Sequence, residues 1–151
     1  MSIEVRQGDL FASGARGLAH GCNCRGVMGA GIAKSFRDRW PAMYAEYRER
    51  YQDGRFILGE VFAYETGDWP TNGLVIFNLA TQLDPGPHAN LHAIESSVTT
   101  MLALARERVV EEVALPRIGA GIGGLDWADV RRVLEGCATK VPEVSLVVYE
   151  L

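Results

Sequence analysis

The sequence is poor in cysteine, and the few cysteines do not form a recognised pattern. Its 151 residues include three: Cys22, Cys24 and Cys137. An odd number without regular spacing argues against the disulfide framework of a small secreted protein. Cys22 and Cys24 form a C-x-C pair, and no second cysteine or histidine pair completes a zinc site. We therefore expect no metal and no cofactor, with Cys22 as a buried strand residue.

The chain also lacks an excess of positive charge and any long apolar run. Its formal net charge is -4, which argues against a protein that follows a nucleic-acid backbone with a basic stripe. A local basic patch or a single modified nucleotide remains compatible with this charge. No run approaches the ~20 apolar residues of a membrane span, and residues 1–11 lack the apolar core of a signal peptide. We expect a cytoplasmic protein that does not enter a membrane, with a monomer as the default state.

The pattern that is present is an alternation of strands and helices along one domain, residues 1–151. Apolar runs predict strands at Ile3–Arg6, Leu18–Cys22, Leu58–Tyr64, Leu74–Leu79, Val113–Leu115 and Val144–Tyr149. Predicted helices begin near Ile32 and at Pro41, span Ala89–Arg108, and run from an Asp126 N-cap through Gly136. This order predicts an α/β layered sandwich. The short first strand is typical of a sheet edge, which favours a mixed sheet.

Two glycine-rich loops each follow a predicted strand and precede a predicted helix. They are residues 26–31, Gly-Val-Met-Gly-Ala-Gly, and residues 119–124, Gly-Ala-Gly-Ile-Gly-Gly. Glycine lets backbone N–H groups approach a ligand closely, and a helix N-terminus favours an anion. The two loops together therefore predict a diphosphate site, with tight structural turns as the alternative. Neither loop ends in the Gly-Lys-Ser/Thr of a P-loop or matches the dinucleotide fingerprint.

Four motifs in this order resemble the macrodomain family. They are Gly8–Phe11, Leu18–Asn23, Met28–Ala33 and the segment from Pro116 to Trp127. The most similar branch contains the terminal ADP-ribose protein glycohydrolase and the antitoxins that remove ADP-ribose from thymidine in DNA. With predicted strands at both ends, the resemblance covers nearly the whole chain. It implies a three-layer α/β/α sandwich with a central mixed sheet that binds ADP-ribose.

The resemblance also implies roles for individual residues. Asp9 matches the acid that accepts a hydrogen bond from the adenine amino group, and the N–H of Leu10 would donate to an adenine ring nitrogen. Without the resemblance, Asp9 would be interpreted as a turn residue after a strand. Asn23 matches the asparagine beside the distal ribose, with a turn asparagine as the alternative. His20 is included, with a satisfied core histidine as the alternative. The residues expected to contact the ligand are Asp9, Leu10, His20, Asn23, Met28, Gly29, Ala30, Gly31, Ile32, Thr81, Ile118, Gly119, Ala120, Gly121, Ile122, Gly123, Gly124 and Leu125.

The sequence departs from this branch at two positions. The glycohydrolases that act on glutamate are expected to carry a nucleophilic lysine just after the strand equivalent to residues 75–80. Here the Thr-Lys pair reads Thr81-Gln82, and the assisting aspartate of the second glycine loop is replaced by Gly123. Glutamine cannot form a Schiff base. A lysine adduct is therefore excluded at these positions.

Three functions remain open at this point. We favour hydrolysis by water oriented by Asn23, Gln82 and the substrate phosphates, acting on a protein glutamate or aspartate ester or on thymidine in single-stranded DNA. The second is a reader that binds ADP-ribose without turnover. The third is a phosphatase on ADP-ribose 1″-phosphate, for which His20 and Asp126 are the loose counterparts. Asp84 and His88 in the following loop are further candidates, with a solvated polar loop as the alternative.

Overall fold

The computed structural model describes residues 3–150 and contains six strands and four helices in that part of the chain. The strands are β1 (Ile3–Gln7), β2 (Gly17–Asn23), β3 (Val61–Glu65), β4 (Val75–Gln82), β5 (Glu112–Leu115) and β6 (Ser145–Glu150). The helices are α1 (Gly31–Arg39), α2 (Pro41–Gln52), α3 (Leu91–Glu107) and α4 (Trp127–Thr139). Two single turns of 3-10 helix lie at Leu10–Ala12 and Gly121–Gly123.

The strands form one mixed sheet in the order β1-β6-β5-β2-β4-β3. The predicted mixed sheet is confirmed, and β1 lies at an edge as expected. The inference that this short edge strand makes the sheet mixed was wrong. β1 pairs parallel with β6, and the antiparallel strand is β3 at the opposite edge. A short connection over residues 66–74 joins β3 to β4, and such a connection permits only antiparallel pairing, since parallel neighbours need a long crossover.

Helices cover both faces of the sheet, which confirms the three-layer arrangement. On one face α3 and α4 bury Ile94, Met101 and Leu134 against the sheet. On the other face α1 and α2 bury Phe36 and Tyr47. All but the last residue of β4 is buried, as expected for a strand covered on both faces.

The helix boundaries follow their caps. Asp126 was expected as an N-cap, and its side chain accepts from the Ala128 N–H at 3.0 Å. α3 begins at Leu91 rather than Ala89 because the Asn90 side chain accepts from the Ala93 N–H at 2.9 Å. Asn is a favourable N-cap residue, so this boundary was readable from the sequence.

His20 lies in the core between the sheet and α1. Its side chain is fully buried, and its ring stacks on Phe36 with the centroids 4.0 Å apart. Because the Asn78 amide nitrogen donates to the Phe62 carbonyl oxygen, Asn78 Oδ1 accepts from His20 Nε2, at 2.7 Å. Burial lowers the pKa of His20 to about 4. The expected ligand contact from this side chain is therefore corrected: His20 is a satisfied, neutral core histidine.

This burial predicts a pH-dependent stability. The imidazole titrates near 6.5 when exposed and at about 4 in the folded chain, so the unfolded chain binds more protons between these values. The free energy of unfolding should fall as the pH drops from about 6.5 to about 4, by up to about 3 kcal/mol. In urea titrations at pH 7, 6 and 5, His20→Gln should be less stable at pH 7 yet lose less stability on acidification. His92→Gln, at an exposed histidine of α3, should keep the parent slope, and an unchanged slope in His20→Gln would contradict the assignment.

Candidate ligand-binding site

A deep cavity of about 350 Å³ lies where β2, β4 and β5 end and α1 begins. The carboxyl ends of parallel strands are the usual position for ligands in sheets of this type. Both predicted glycine loops contribute to its wall. The lining residues are Gly21, Cys22, Asn23, Val27, Gly29, Ala30, Ile32, Ala33, Thr81, Gln82, Pro85, Gly86, Pro116, Arg117, Ile118, Gly119, Ala120, Ile122 and Gly123.

A second, wider cavity of about 760 Å³ adjoins the first. Its lining residues are Gly8, Asp9, Leu10, Phe11, Gly31, Ile32, Ser35, Arg39, Pro116, Arg117, Tyr149 and Glu150. Three residues, Ile32, Pro116 and Arg117, line both cavities. The two cavities are therefore adjacent compartments that share one wall, and each has a volume suited to part of a small molecule.

Helix α2 holds the first glycine loop in place. The Tyr47 hydroxyl donates to the Asn23 carbonyl oxygen at 2.7 Å. Arg48 Nη1 donates to the Gly26 carbonyl oxygen at 2.7 Å, and the Tyr44 hydroxyl reaches the same oxygen at 3.3 Å. Gly26 has a φ of 75°, and a Cβ there would lie 2.6 Å from the Tyr51 ring. The loop is thus fitted to one face of α2, which fixes the wall of the deep cavity.

The side chain of Asn23 is largely used to shape its own loop. Its Oδ1 accepts from the Arg25 N–H at 3.0 Å and from the Tyr47 hydroxyl at 3.0 Å. Its Nδ2 donates to the Val27 carbonyl oxygen at 2.8 Å. An amide nitrogen carries two protons, so one N–H of Asn23 remains to donate into the cavity. Asn23 is thus equipped to orient a hydroxyl oxygen but not to remove a proton.

In Gln82 the side-chain amide is oriented by its nitrogen, and its oxygen is left as an acceptor. Its Nε2 donates to two backbone oxygens, those of Asp84 at 2.8 Å and Gly86 at 3.0 Å. These two acceptors use both amide protons and fix the orientation of the carboxamide. Oε1 has no hydrogen-bond partner among residues 3–150, and it lies 3.6 Å from where a Cβ of Gly123 would be. Gln82 therefore presents an acceptor at the cavity wall, at the position where the glycohydrolases that act on glutamate are expected to carry a lysine.

Backbone N–H groups supply the anion-binding character of the shared wall. α1 has Ala30 as its N-cap with no side-chain cap, so the first N–H groups of this helix have no side-chain partner. Across the deep cavity, Gly119 of the second loop has a φ of 76°, a backbone that favours glycine. The geometry thus permits an anion to bind between the helix N-terminus and the second loop.

The wider cavity carries the charged side chains. Asp9 accepts from the Phe11 N–H at 2.9 Å, which leaves carboxylate acceptor capacity facing the cavity that it lines. The Arg39 guanidinium lies 4.1 Å from the centre of the Phe11 ring. Arg117 forms an ion pair with Glu150 and thereby lowers the pKa of that carboxyl. Of the residues that the structure describes, 3–150, Arg117 is the one charged residue that lines the deep cavity.

The structure brings most of the predicted residues to the two cavities, and five predicted contacts do not line either one. Those five are His20, Met28, Gly121, Gly124 and Leu125. Met28 instead packs in the core on the α1 and α2 side of the sheet, and Leu125 packs against the core on the other side. These apolar contacts anchor the two glycine-rich segments. The prediction missed Arg117, although it lies in the motif from Pro116 to Trp127. It also missed Arg39, Ser35 and Tyr149, which the fold brings together from distant positions.

Within residues 3–150, the structure places no lysine at these two cavities and forms no cluster of metal ligands. The chain has two lysines, Lys34 and Lys140, and neither lines a cavity. Among residues 3–150 no cluster of three His, Cys, Asp or Glu side chains is placed to hold a metal ion. Within the same range no helix has the length and apolarity that crossing a membrane requires.

Comparison with known proteins identifies the family. The Macro domain family model matches residues 19–134, which is most of the chain. The chain belongs to the macrodomain family. The match spans both glycine loops and the ends of β2, β4 and β5, so it covers the elements that build the deep cavity.

Curated relatives of this chain include DNA ADP-ribosyl glycohydrolases and ADP-ribose 1″-phosphate phosphatases. The DNA ADP-ribosyl glycohydrolase of Mycobacterium tuberculosis is 34% identical over 149 residues, covering 97% of this chain and 42% of the relative. The Thermus aquaticus protein of the same name is 28% identical over 98% of this chain and 41% of its own length. This chain therefore spans about two fifths of those relatives. The ADP-ribose 1″-phosphate phosphatase of Candida albicans is 29% identical over 88% of this chain and 92% of the relative.

Solved macrodomain structures have the same fold. The macrodomain of Mycobacterium tuberculosis DarG superposes with a TM-score of 0.88 at 33% identity, covering 99% of this chain and 97% of that one. The macrodomain of Thermus aquaticus DarG gives 0.88 at 28% identity, covering 99% and 98%. The three-layer macrodomain architecture predicted from the motifs is confirmed.

Gly119 of the second loop should tolerate a side chain far less well than Gly29 of the first. Gly119 has a φ of 76°, and its Cβ would lie 2.5 Å from buried Ile94 Cδ1, so Gly119→Ala should lower the free energy of unfolding by about 2 kcal/mol or more. Gly29 has no positive φ, and its Cβ would meet only Val27 at 3.5 Å. Gly29→Ala should therefore stay within about 0.5 kcal/mol of the parent in urea denaturation. Equal stability of the two variants would show that the loop geometry is wrong.

Proposed function

We propose that this macrodomain binds ADP-ribose and hydrolyses its bond to a base in DNA, without a lysine adduct. The observation that carries the proposal is the pair of adjoining cavities, which meet where α1 begins and Arg117 lies. An extended ligand with a nucleoside at one end, a diphosphate in the middle and a sugar at the other end matches this shape. We also propose that the protein is a cytoplasmic monomer. Its free cysteines, Cys22, Cys24 and Cys137, support a location in a reducing compartment.

The wider cavity would receive the adenosine. Asp9 supplies a carboxylate acceptor for the exocyclic amino group, and the N–H of Leu10, the first residue of the following helical turn, would donate to an adenine ring nitrogen. Phe11 and Tyr149 offer aromatic surface in the same cavity. A donor-acceptor pair beside aromatic rings is a common way to recognise a base.

The shared wall would receive the diphosphate. The α1 N-terminus and Gly119 of the second loop would offer backbone donors from opposite sides. Arg117 adds a guanidinium, the group best suited to bind phosphate oxygens in pairs. These donors are fixed in the fold before ligand arrives, so little ordering is required on binding.

The deep cavity would hold the distal ribose and its bond to the target. The remaining N–H of Asn23 donates to a ribose hydroxyl, and Gln82 Oε1 accepts from the attacking water. Neither group forms a covalent bond with the sugar, so the rate would come from orientation and from the electrostatic effect of the bound phosphates. This suits a leaving group that departs readily, such as a thymidine imide nitrogen. The names of the mycobacterial and Thermus relatives support DNA as the target.

One observation favours a second candidate, a reader without turnover. Among residues 3–150, no carboxylate, histidine or lysine lines the deep cavity, so these residues place no general base where the anomeric carbon would lie. The phosphatase alternative has less support because His20 is buried and hydrogen-bonded to Asn78, and because Asp126 caps α4.

The diphosphate role of Arg117 is testable by ligand binding. Arg117→Gln should weaken ADP-ribose binding by about three- to tenfold at low salt and leave adenosine binding unchanged, since only ADP-ribose carries phosphates. Glu150→Gln should tighten ADP-ribose binding by about twofold, because the ion pair competes with the ligand for Arg117. Calorimetry measures both. Arg132→Gln, an exposed cation of α4 paired with Asp129, is the matched control, and equal losses for adenosine would refute the role.

Turnover should be measured on two substrates in parallel, a thymidine-ADP-ribosylated oligonucleotide and a glutamate-ADP-ribosylated protein. The parent should release ADP-ribose from the oligonucleotide. Gln82→Ala should reduce that rate by about 10- to 100-fold and change ADP-ribose affinity by less than about threefold. Asn23→Ala should lose affinity as well, because Asn23 shapes the loop. Clear ADP-ribose binding with no release from either substrate would reject the hydrolase and leave the reader.

A further inference from the structure

The surface beside the mouth of the deep cavity has a composition that differs from the rest of this acidic chain. Of the five exposed large hydrophobic side chains among the described residues, Val27 and Ile122 line the deep cavity. A third, Leu83, lies beside the first loop, since its carbonyl oxygen accepts from the Cys24 N–H at 3.0 Å. Two exposed aliphatic side chains therefore line this opening and a third lies on the segment beside it. We term Val27, Leu83 and Ile122 the apolar rim.

Cationic side chains gather on the outer side of the same loop. Arg25 lies in the loop, and Arg48 of α2 bonds to the loop at Gly26. The Arg37 guanidinium lies 5.8 Å from the centre of the Tyr44 ring, whose hydroxyl reaches the same Gly26 oxygen. Lys34 is on α1, one turn before Arg37. We term Arg25, Lys34, Arg37 and Arg48 the basic patch.

The basic patch has a net positive charge although the chain has a formal charge of -4. Asp38 contacts Lys34 and Arg37, and Asp84 contacts Arg25. Within residues 3–150, no carboxylate lies within ion-pair distance of Arg48. Four cations against two contacting carboxylates leave an attraction for a polyanion at the edge of the cavity.

Aromatic rings are interleaved with these cations. Tyr44, Tyr47 and Tyr51 lie on the face of α2 that holds the loop, and Tyr44 and Tyr51 are partly exposed. Basic groups that follow a backbone, combined with flat or apolar surface for bases, are the features of single-strand nucleic-acid sites. An acidic peptide would use the cations but has no flat base to place on the rim.

We propose that a single DNA strand attached to the bound ADP-ribose leaves the cavity over the apolar rim and passes its phosphodiester along the basic patch. This inference rests on the proposed function, because the linkage in the deep cavity sets where the strand begins. The modified base would rest on Val27 and Ile122, and adjacent phosphates would bind Arg25 and Arg37.

The test compares two double variants of equal charge change. Arg25→Gln/Arg37→Gln removes two cations of the basic patch, whose ion pairs are exposed and contribute little stability. Arg106→Gln/Arg132→Gln removes two exposed cations from α3 and α4. The probes are a fluorescein-labelled thymidine octamer without ADP-ribose, followed by fluorescence polarisation, and free ADP-ribose, followed by calorimetry. The octamer assay needs no turnover, so it also applies to a reader.

The parent should bind the octamer weakly at low salt, with affinity that falls as salt increases. The Arg25→Gln/Arg37→Gln variant should bind it about tenfold more weakly, and its log-log salt slope should be about 1.4 smaller in magnitude, as two lost phosphate contacts require. Its ADP-ribose affinity should match the parent, and the control variant should match the parent in both assays.

Two outcomes would overturn the inference: no octamer binding by the parent, or equal weakening in both double variants. Selective loss of activity on an ADP-ribosylated acidic peptide, with octamer binding unchanged, would instead assign the patch to a protein partner and also overturn it. If the parent fails to bind free ADP-ribose, the proposed function itself fails, which is a separate result from any effect on the octamer.

Discussion

The site depends on the hydrogen bond that the buried Tyr47 hydroxyl donates to Asn23. The single hydroxyl proton is shared between the Asn23 backbone oxygen at 2.7 Å and Oδ1 at 3.0 Å, and this contact joins the end of β2 to α2. Because Asn23 in turn holds the following loop through Val27, one phenol fixes the wall between the deep cavity and the surface outside it. Burial raises the pKa of Tyr47, so the hydroxyl keeps its proton and stays a donor. The deep cavity and the basic patch are therefore two sides of one anchored segment.

Much of this arrangement was predictable because it depends on local chemistry. Glycines followed by a helical pattern predicted both loops, and Asp126 predicted the start of α4. The four motifs predicted the family and the layers, since their order fixes which strand ends meet. Asp9 and Gln82 were expected near a ligand, and they line the two cavities.

The remainder depends on partners that are distant in sequence. His20 was ambiguous because only the fold supplies Asn78 and Phe36 beside it. The antiparallel strand was missed because the sequence shows strand length but not which edge it occupies. Arg117 was overlooked because its importance comes from a wall shared by two cavities, which no local pattern encodes. Pairings of this kind are set by packing and are not visible in periodicity or residue spacing.

The lining of the deep cavity also bears on how the chemistry would respond to acidity. Its one thiol is Cys22, and burial raises the pKa of that thiol well above its ordinary value. The remaining lining groups are backbone amides, carboxamides, a hydroxyl, aliphatic side chains and one guanidinium. None of these changes its charge between pH 5 and pH 8. The pH dependence of a reaction in this cavity would therefore come from the leaving group and the hydroxide concentration. The protein would orient the reacting groups and would not itself transfer a proton.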